Sequence, residues 1–235
     1  MSADFEIEVI EDRQGNKHTV QAWQDDFDGA KLGFWLFMFT EVMMFGAMFL
    51  VVTYYFTLHT ADFLAASGSL DRVLGGTNTV ILLISALTMG LGMVKMKAGD
   101  IKGAKLMIWA TIILALAFLG IKAVEWSAEI HHGIFLGLDK LTAGTAEYIG
   151  HGKTLFFGMY FTMTGLHGFH IIIGIAIMVW LLKRINAGQV NKDHHILHFN
   201  IALYWDLVHL IWVFVFPYFY MIGAGEIASG VVHGH

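Results

Sequence analysis

The sequence predicts an all-α integral membrane protein, a five-transmembrane-helix bundle with a cytoplasmic N-terminus and an external C-terminus. The first observation is composition, since 57% of the 235 residues are hydrophobic and 14% are charged, with a mean hydropathy of +0.63. Soluble domains carry about 25% charged residues, so this chain has too few to cover a water-facing surface. The other two observations are five long apolar runs and an uneven distribution of Lys and Arg.

The chain divides into three predicted segments. Residues 1–33 form a polar cytoplasmic tail without the basic start and short apolar core of a secretory signal. Residues 34–223 form the bundle, because they hold five apolar runs of roughly the 20 residues that a helix needs to cross a bilayer. These runs are 34–58, 77–94, 106–128, 154–182 and 201–223. Residues 224–235 form a short external tail.

The distribution of basic residues predicts the orientation. Ten of the fourteen Lys and Arg residues fall in the N-terminal tail and in the second and fourth loops. Three fall on the other side, and Lys122 lies within a span. Loops rich in Lys and Arg stay cytoplasmic, so the N-terminus is expected there and five crossings leave the C-terminus outside.

The sequence also excludes several classes of function. It has no Cys, which excludes disulfides, thiolate metal sites, iron–sulfur clusters and covalently attached c-type heme. It has no Gly-rich phosphate loop after a strand and no basic patch for nucleic acid. No catalytic residue is therefore predicted, and nucleic acid is not an expected partner.

Ionisable residues within the spans are the candidate functional residues, because such groups are costly in lipid. Lys122 and Glu125 lie three residues apart in the third span, and Asp206 and His209 are spaced likewise in the fifth. That spacing places both members of each pair on one helix face. Each pair either neutralises itself or serves another helix.

Glu41 differs, because no residue within a helical turn of it is able to form an ion pair. Apolar surroundings favour its neutral, protonated form. It is expected either to hydrogen-bond another helix or to take part in proton movement.

His167 and His170 lie in the middle of the fourth span. A heme between His170 and His209, or a metal held by all three histidines, is one interpretation. The alternative is a close helix contact, since Gly165, Gly168 and Gly174 surround the pair and small residues let helices approach. This interpretation predicts that the histidines hydrogen-bond across the contact and that Gly168→Leu forces the helices apart.

The motifs together resemble subunit III of the heme–copper terminal oxidases. The fourth span, T-G-L-H-G-F-H-I-I-I-G, is the most specific match, and the first span places the membrane carboxylate of that family on Glu41. The second span begins with Asn78-Thr, and the third ends A-F-L-G-I-K-A-V-E-W, where Lys122 replaces the usual Gln. In the fifth span, Y-W-D-L-V-H-L-I-W, Asp206 and His209 occupy exchanged positions.

The resemblance implies the five-helix bacterial form of this subunit, in the bacterial inner (cell) membrane. It implies an accessory subunit with no metal or cofactor of its own, packed on subunit I beside subunit II, with heme and copper in those partners. It also implies structural phospholipid in a cleft and support for proton uptake, with Glu41 as the proton-linked or lipid-cleft residue. The polar residues expected at helix contacts are Asn78, Lys122, Glu125, His167, His170, Asp206 and His209.

Two rival functions remain open at this point. One is a heme-binding membrane anchor of another electron-transfer complex, and the other is a proton-coupled transporter built on Glu41. Within the family, the sequence leaves open a relative associated with nitric oxide reductase, and it leaves the electron donor, cytochrome c or quinol, undecided.

Overall fold

The computed structural model of the protein describes residues 7–11, 17–21, 27–131, 151–190, 192 and 195–223. In this part of the chain, five helices are long and apolar enough to cross a membrane, which confirms the predicted five-helix bundle. In chain order the helices are α1 (Phe27–Leu58), α2 (Thr60–Ser69), α3 (Arg72–Lys97), α4 (Ile101–His131), α5 (His151–Asn186) and α6 (Ile196–Phe216). A π-helical segment, Pro217–Met221, continues α6.

A short hairpin in the N-terminal region adds to the predicted all-α fold. Strands β1 (Ile7–Glu11) and β2 (Lys17–Gln21) pair antiparallel, with Ile7 opposite Gln21. Both strands contain β-branched residues, which favour extended backbone. Because α1 begins at Phe27, it includes the end of the predicted tail 1–33. The predicted tail 224–235 lies outside the described residues, so the domain boundaries stay predictions.

Helix ends at the predicted cytoplasmic side are set by local chemistry. Gly99 and Gly188 have φ angles of 81° and 75°, a left-handed conformation that glycine adopts without steric cost and that ends α3 and α5. The next helix, α4, starts beside Asp100, whose carboxylate accepts the Gly103 N–H at 2.8 Å. Asp100 also lies 3.1 Å from the Lys95 ammonium. These contacts fix the tight connection between α3 and α4.

Helix α6 lies at the centre of the bundle and contacts α1, α3 and α5. Trp205 donates its indole N–H to Ser85 Oγ at 3.1 Å, and Trp212 donates to Thr79 Oγ1 at 3.1 Å, so two tryptophans join α6 to α3. Tyr204 donates its hydroxyl to the His170 carbonyl at 3.0 Å and joins α6 to α5. In a bilayer, where the hydrophobic effect does not favour helix association, such bonds add to the van der Waals packing.

Helix α1 stands at the edge of the bundle and buries little of its surface. Phe45 and Val52 are each 2% exposed and pack against the other helices, whereas Leu50 is 74% exposed. Phe45 also packs edge-on against the His170 ring of α5, with ring centres 5.6 Å apart. Because α1 is held along a narrow line, two spaces remain between it and α5 at different positions along its length, and one of them contains Glu41.

Candidate functional site

Glu41 of α1 and His170 of α5 form a pair between two helices. His170 Nε2 lies 3.0 Å from Glu41 Oε2, although Oε2 has no aligned hydrogen-bonding partner. His170 Nδ1 lies 2.8 Å from the Leu166 carbonyl, which only accepts, so Nδ1 carries a hydrogen. The pair therefore places an acidic and a basic side chain in contact between α1 and α5.

The pair lies in a cleft of about 570 Å³ between α1, α5 and α6. Its walls are mostly aromatic and aliphatic side chains, so Glu41 and His170 are an acidic and a basic group in a largely apolar space. The lining residues are Phe34, Phe37, Glu41, Phe169, His170, Ile173, Ile177, Asn200, Ile201 and Tyr204. A second cavity of about 350 Å³ lies between residues 47–52 of α1 and 158–163 of α5. Phe45 lies between the α1 residues that line the first cleft and those that line the second cavity.

A polar cluster formed by Lys122, Glu125, Tyr160 and Tyr220 is buried near the other end of the bundle. Lys122 Nζ lies 3.0 Å from Glu125 Oε2, which confirms the predicted pairing within α4. The ammonium also donates to the hydroxyls of Tyr160 at 3.0 Å and Tyr220 at 2.6 Å. Both tyrosines in turn donate to Glu125 Oε1. The cluster therefore joins α4, α5 and the π-helical segment through one carboxylate.

The π-helical segment contributes Tyr220 to this cluster. It begins at Pro217, the single proline of the chain, which has no N–H to donate to the preceding turn. Such a break in the helical hydrogen bonding is a common cause of altered helix geometry. Tyr220 is fully buried here and stacks on Phe216.

The sequence interpretation did not include Tyr160 or Tyr220. Their hydroxyls lie 38 and 98 residues along the chain from Lys122, so no local pattern connects them. The sequence feature that could have pointed to them is a tyrosine within an apolar span, because the hydroxyl of a buried tyrosine needs a hydrogen-bonding partner.

His167 is fully buried, and neither ring nitrogen has a hydrogen-bonding partner in the part of the chain that the structure describes. The ring packs against Trp212 and Phe118, with ring centres 5.1 Å and 5.8 Å away. The hydrogen bonds that the sequence interpretation gave to this residue are thus absent, and aromatic packing holds it in place. Asn78 of α3 is likewise fully buried, with both side-chain atoms unpartnered among the described residues.

Asp206 and His209 do not form the ion pair that their spacing suggested. The described residues provide no salt bridge between the two side chains, since Asp206 points outward and is exposed while His209 is half-buried. His209 Nε2 is buried without a hydrogen-bonding partner. Spacing places two residues on adjacent positions of a helix face, but their rotamers decide whether they meet.

The glycines of α5 differ in their surroundings. A Cβ on Gly174 would lie 2.9 Å from Trp205 Cζ3, and one on Gly165 would lie 3.1 Å from Trp126 Cη2. These two positions are close contacts, as predicted. A Cβ on Gly168 would meet only Leu119, at 3.9 Å, so the expected close contact at Gly168 is wrong.

The described residues contain no group of three His, Asp or Glu side chains arranged to hold a metal ion. Of the three histidines considered from sequence, His167 packs against aromatic rings and His170 lies beside Glu41. His209 Nε2 has no hydrogen-bonding partner among the described residues.

Comparison with known proteins matches residues 7–224 to the family described as cytochrome c oxidase subunit III. The chain belongs to the cytochrome c oxidase subunit III family. It is therefore an accessory subunit of a heme–copper oxidase and a multi-pass membrane protein, as the sequence motifs predicted.

Similar proteins include oxidase subunits with different names. "Quinol oxidase subunit 3" of Bacillus spizizenii is 27% identical over 217 residues, which cover 90% of this chain and 96% of the relative. "Cytochrome bo(3) ubiquinol oxidase subunit 3" of Pseudomonas aeruginosa is 28% identical over 219 residues, covering 89% and 97%. "Cytochrome c oxidase subunit 3" of Alkalihalophilus pseudofirmus is 29% identical over 197 residues, covering 83% and 87%.

Proposed function

We propose that this subunit packs on the catalytic subunit I of a proton-pumping oxidase, holds phospholipid in the α1 cleft, and supports proton uptake and sustained turnover through Glu41. The observation that carries the proposal is the Glu41–His170 pair inside the cleft. Heme and copper belong to the partner subunits in this proposal, and subunit II completes the assembly. Oxygen is reduced to water in those partners.

The shape and lining of the cleft support lipid binding. Its volume of about 570 Å³ lies within the range of about 300–1,000 Å³ that accommodates a ligand. Apolar walls suit an acyl chain, and α1 forms one side of the space without closing it. The second cavity of about 350 Å³, beside residues 47–52, extends the available apolar surface along α1.

The Glu41–His170 pair supports a link to protons. An acidic and a basic side chain lie about 3.0 Å apart here, and a proton passed from the carboxyl to the imidazole would leave the pair without net charge in the apolar cleft. A group suited to proton exchange needs such a neutral pair together with access from one side of the membrane. With the N-terminus in the cytoplasm, Glu41 lies 14 residues into α1, or about 21 Å along the helix.

The basic residues favour this orientation, and the bacterial origin of the similar proteins suits a bacterial inner membrane location. Lys95, Lys97, Lys183 and Arg184 lie at the ends of α3 and α5 that meet the predicted cytoplasmic side. The electron donor stays open, because the similar proteins carry names of quinol oxidases and of cytochrome c oxidases alike.

The test of the proton role is Glu41→Gln in the intact oxidase. This change keeps the size of the side chain and removes its ionisation. We expect the complex to assemble with its heme, while protons pumped per electron or the number of turnovers before inactivation falls. Thr40→Val is the matched control, because Thr40 is an exposed neighbour whose hydroxyl bonds only within α1. A Glu41→Gln enzyme that pumps and lasts like the parent would leave Glu41 a packing role only.

A hydrophobic carbodiimide gives an independent test, since it reacts with protonated carboxyls that it reaches from lipid. We expect Glu41, which lines the cleft, to be labelled well before Glu125, which is 3% exposed and accepts from three donors. Faster labelling of Glu125 would contradict the assignment of the protonated, accessible carboxyl to Glu41.

Lipid binding is tested by filling the cleft. Ile173→Trp adds bulk to the cleft wall and is expected to lower the phospholipid that remains with the purified oxidase, measured by mass spectrometry. Leu116→Trp, on the exposed face of α4, is the control. Equal phospholipid content in both variants would refute lipid binding in this cleft.

A further inference from the structure

One face of α6 combines a carboxylate with exposed apolar side chains at mid-membrane depth. Asp206 lies ten residues after Ile196, where α6 begins, which is about 15 Å along the helix and near the centre of a hydrocarbon layer about 30 Å thick. The side chain is exposed on the surface of the chain. No hydrogen bond or ion pair within the described residues satisfies its carboxylate.

The neighbours of Asp206 on this face are apolar. Leu210, Val213 and Phe214 are 50%, 39% and 58% exposed, and they follow Asp206 at helical spacing. Such a surface does not suit water or lipid headgroups, and its depth is wrong for both. Hydrocarbon tails suit the three apolar residues but provide no partner for a carboxyl group, and polar groups facing lipid are costly. The face is thus incomplete in the isolated chain.

A second copy of this chain does not satisfy Asp206. A symmetric contact brings the same surface patch of both copies together, and here it would place two Asp206 carboxylates near each other. Like charges at short range disfavour the ionised forms of both groups. The complementary surface must instead carry the opposite charge.

We propose that this face, formed by Asp206, Leu210, Val213 and Phe214, receives a transmembrane helix of another oxidase subunit, with an Arg or Lys of that helix paired to Asp206. The inference deepens the proposed function, on which it rests, by assigning the surface through which the chain joins the complex. The partner helix would cover both the charge pair and the apolar residues that follow Asp206, so the pair is shielded from lipid.

Single cysteines test the surface, since the natural chain contains none. Leu210→Cys places a thiol one helical turn from Asp206. Leu116→Cys on α4 and Leu50→Cys on α1 are matched controls, because the parent residues are 53% and 74% exposed against 50% for Leu210. Each variant is purified as the whole oxidase and treated with a membrane-soluble maleimide, and modification of this chain is followed by mass spectrometry.

We expect Cys at position 210 to react at least tenfold more slowly than the faster of the two controls. A rate within threefold of that control would overturn the proposal, because the face would then be open to lipid. If the ratio of rates is intermediate, the variant Asp206→Lys decides, because its ammonium would repel the partner's cation. The proposal is supported if the Asp206→Lys chain is lost from the purified complex while the Asp206→Asn chain stays in it. The proposal is overturned if the Asp206→Lys chain also stays in the complex.

The outcome is separable from that of the proposed function. If the unmodified chain fails to co-purify with a heme-bearing subunit, the proposed function itself fails. If it co-purifies while position 210 reacts freely, the complex stands and only the assignment of this face fails.

Discussion

The stability of the bundle is expected to fall strongly when either charge of the buried Lys122–Glu125 pair is removed alone. Lys122 and Glu125 are 7% and 3% exposed, so neither has water available as a substitute partner. Glu125→Leu leaves the Lys122 ammonium with two tyrosine hydroxyls and no counter-charge. Removing one partner of a buried ion pair costs about 3–5 kcal/mol, and we expect this variant to fall in that range.

Lys122→Met is expected to cost a similar amount. Glu125 still accepts from Tyr160 and Tyr220 after this change, but the buried carboxylate loses its counter-charge and one of three donors. The same range of about 3–5 kcal/mol therefore applies. In the double variant no uncompensated charge remains, and the two tyrosine hydroxyls still lie 2.8 Å apart and able to bond each other.

The double variant is therefore expected to be more stable than Glu125→Leu alone. The sum of the two single losses should exceed the loss in the double variant by about 3 kcal/mol or more, at or above the upper end of the range for coupled neighbours. To measure these losses, Ala115→Cys is added to each variant, at a fully buried position of α4. The rate at which its thiol is labelled in mild SDS then reports how often the bundle unfolds. A loss of about 3 kcal/mol corresponds to labelling faster by about a hundredfold.

Additive losses in the two single variants would refute this reasoning. They would mean that Lys122 and Glu125 are stabilised separately, for example by solvent that enters the cluster. Lys122→Gln is the control for shape, since it keeps a donor toward Glu125 and removes the charge. We expect its loss to be smaller than that of Lys122→Met.

Two further predictions concern helix packing and a helix terminus. Gly174→Ala should destabilise the bundle by about 1–3 kcal/mol, because the added methyl overlaps the fixed Trp205 ring. Gly168→Ala should be neutral or stabilising by up to about 1 kcal/mol, because a methyl there meets no close neighbour. Equal effects of the two variants in the same labelling assay would contradict the packing described for α5. The Gly103 N–H and, less strongly, the Lys95 ammonium lower the pKa of Asp100. The Asp100 carboxylate therefore contributes its full stabilisation above the unfolded-state pKa of about 4, and this stabilisation is lost as the pH falls through the lowered folded-state pKa. Asp100→Asn should therefore lower the thermal midpoint at neutral pH and approach the parent in acid, and a pH-independent difference would contradict this role.

The sequence predicted the spans well because hydropathy reports the part of each helix that lies in lipid. It placed helix starts too late, for example at residue 77 in place of Arg72, since the first turn of α3 lies in the polar interface and carries charge. The short helix α2 was not predicted, because ten residues with moderate hydropathy are not separable from a loop. Local spacing predicted the Lys122–Glu125 contact, where the two residues share one helix.

Contacts between helices were beyond the same reasoning. The sequence marked Glu41 as lacking a partner within its helix, but only the antiparallel packing of α1 on α5 supplies His170. Asp206 and His209 have the same favourable spacing as Lys122 and Glu125, yet Asp206 is exposed, His209 is half-buried and no salt bridge joins them. Equal local patterns therefore give different contacts when the surrounding packing differs.

The peripheral position of α1 has a consequence for the order of events during membrane insertion. Glu41 leaves the ribosome 129 residues before His170, and at about 5–20 residues per second this delay is roughly 6–26 seconds. During that interval the first span already sits in the translocon or the bilayer, while the helices against which it packs do not yet exist. The first span thus carries one acidic group, Glu41, that awaits its basic counterpart, and newly made subunits depend on late docking of their earliest membrane-spanning helix.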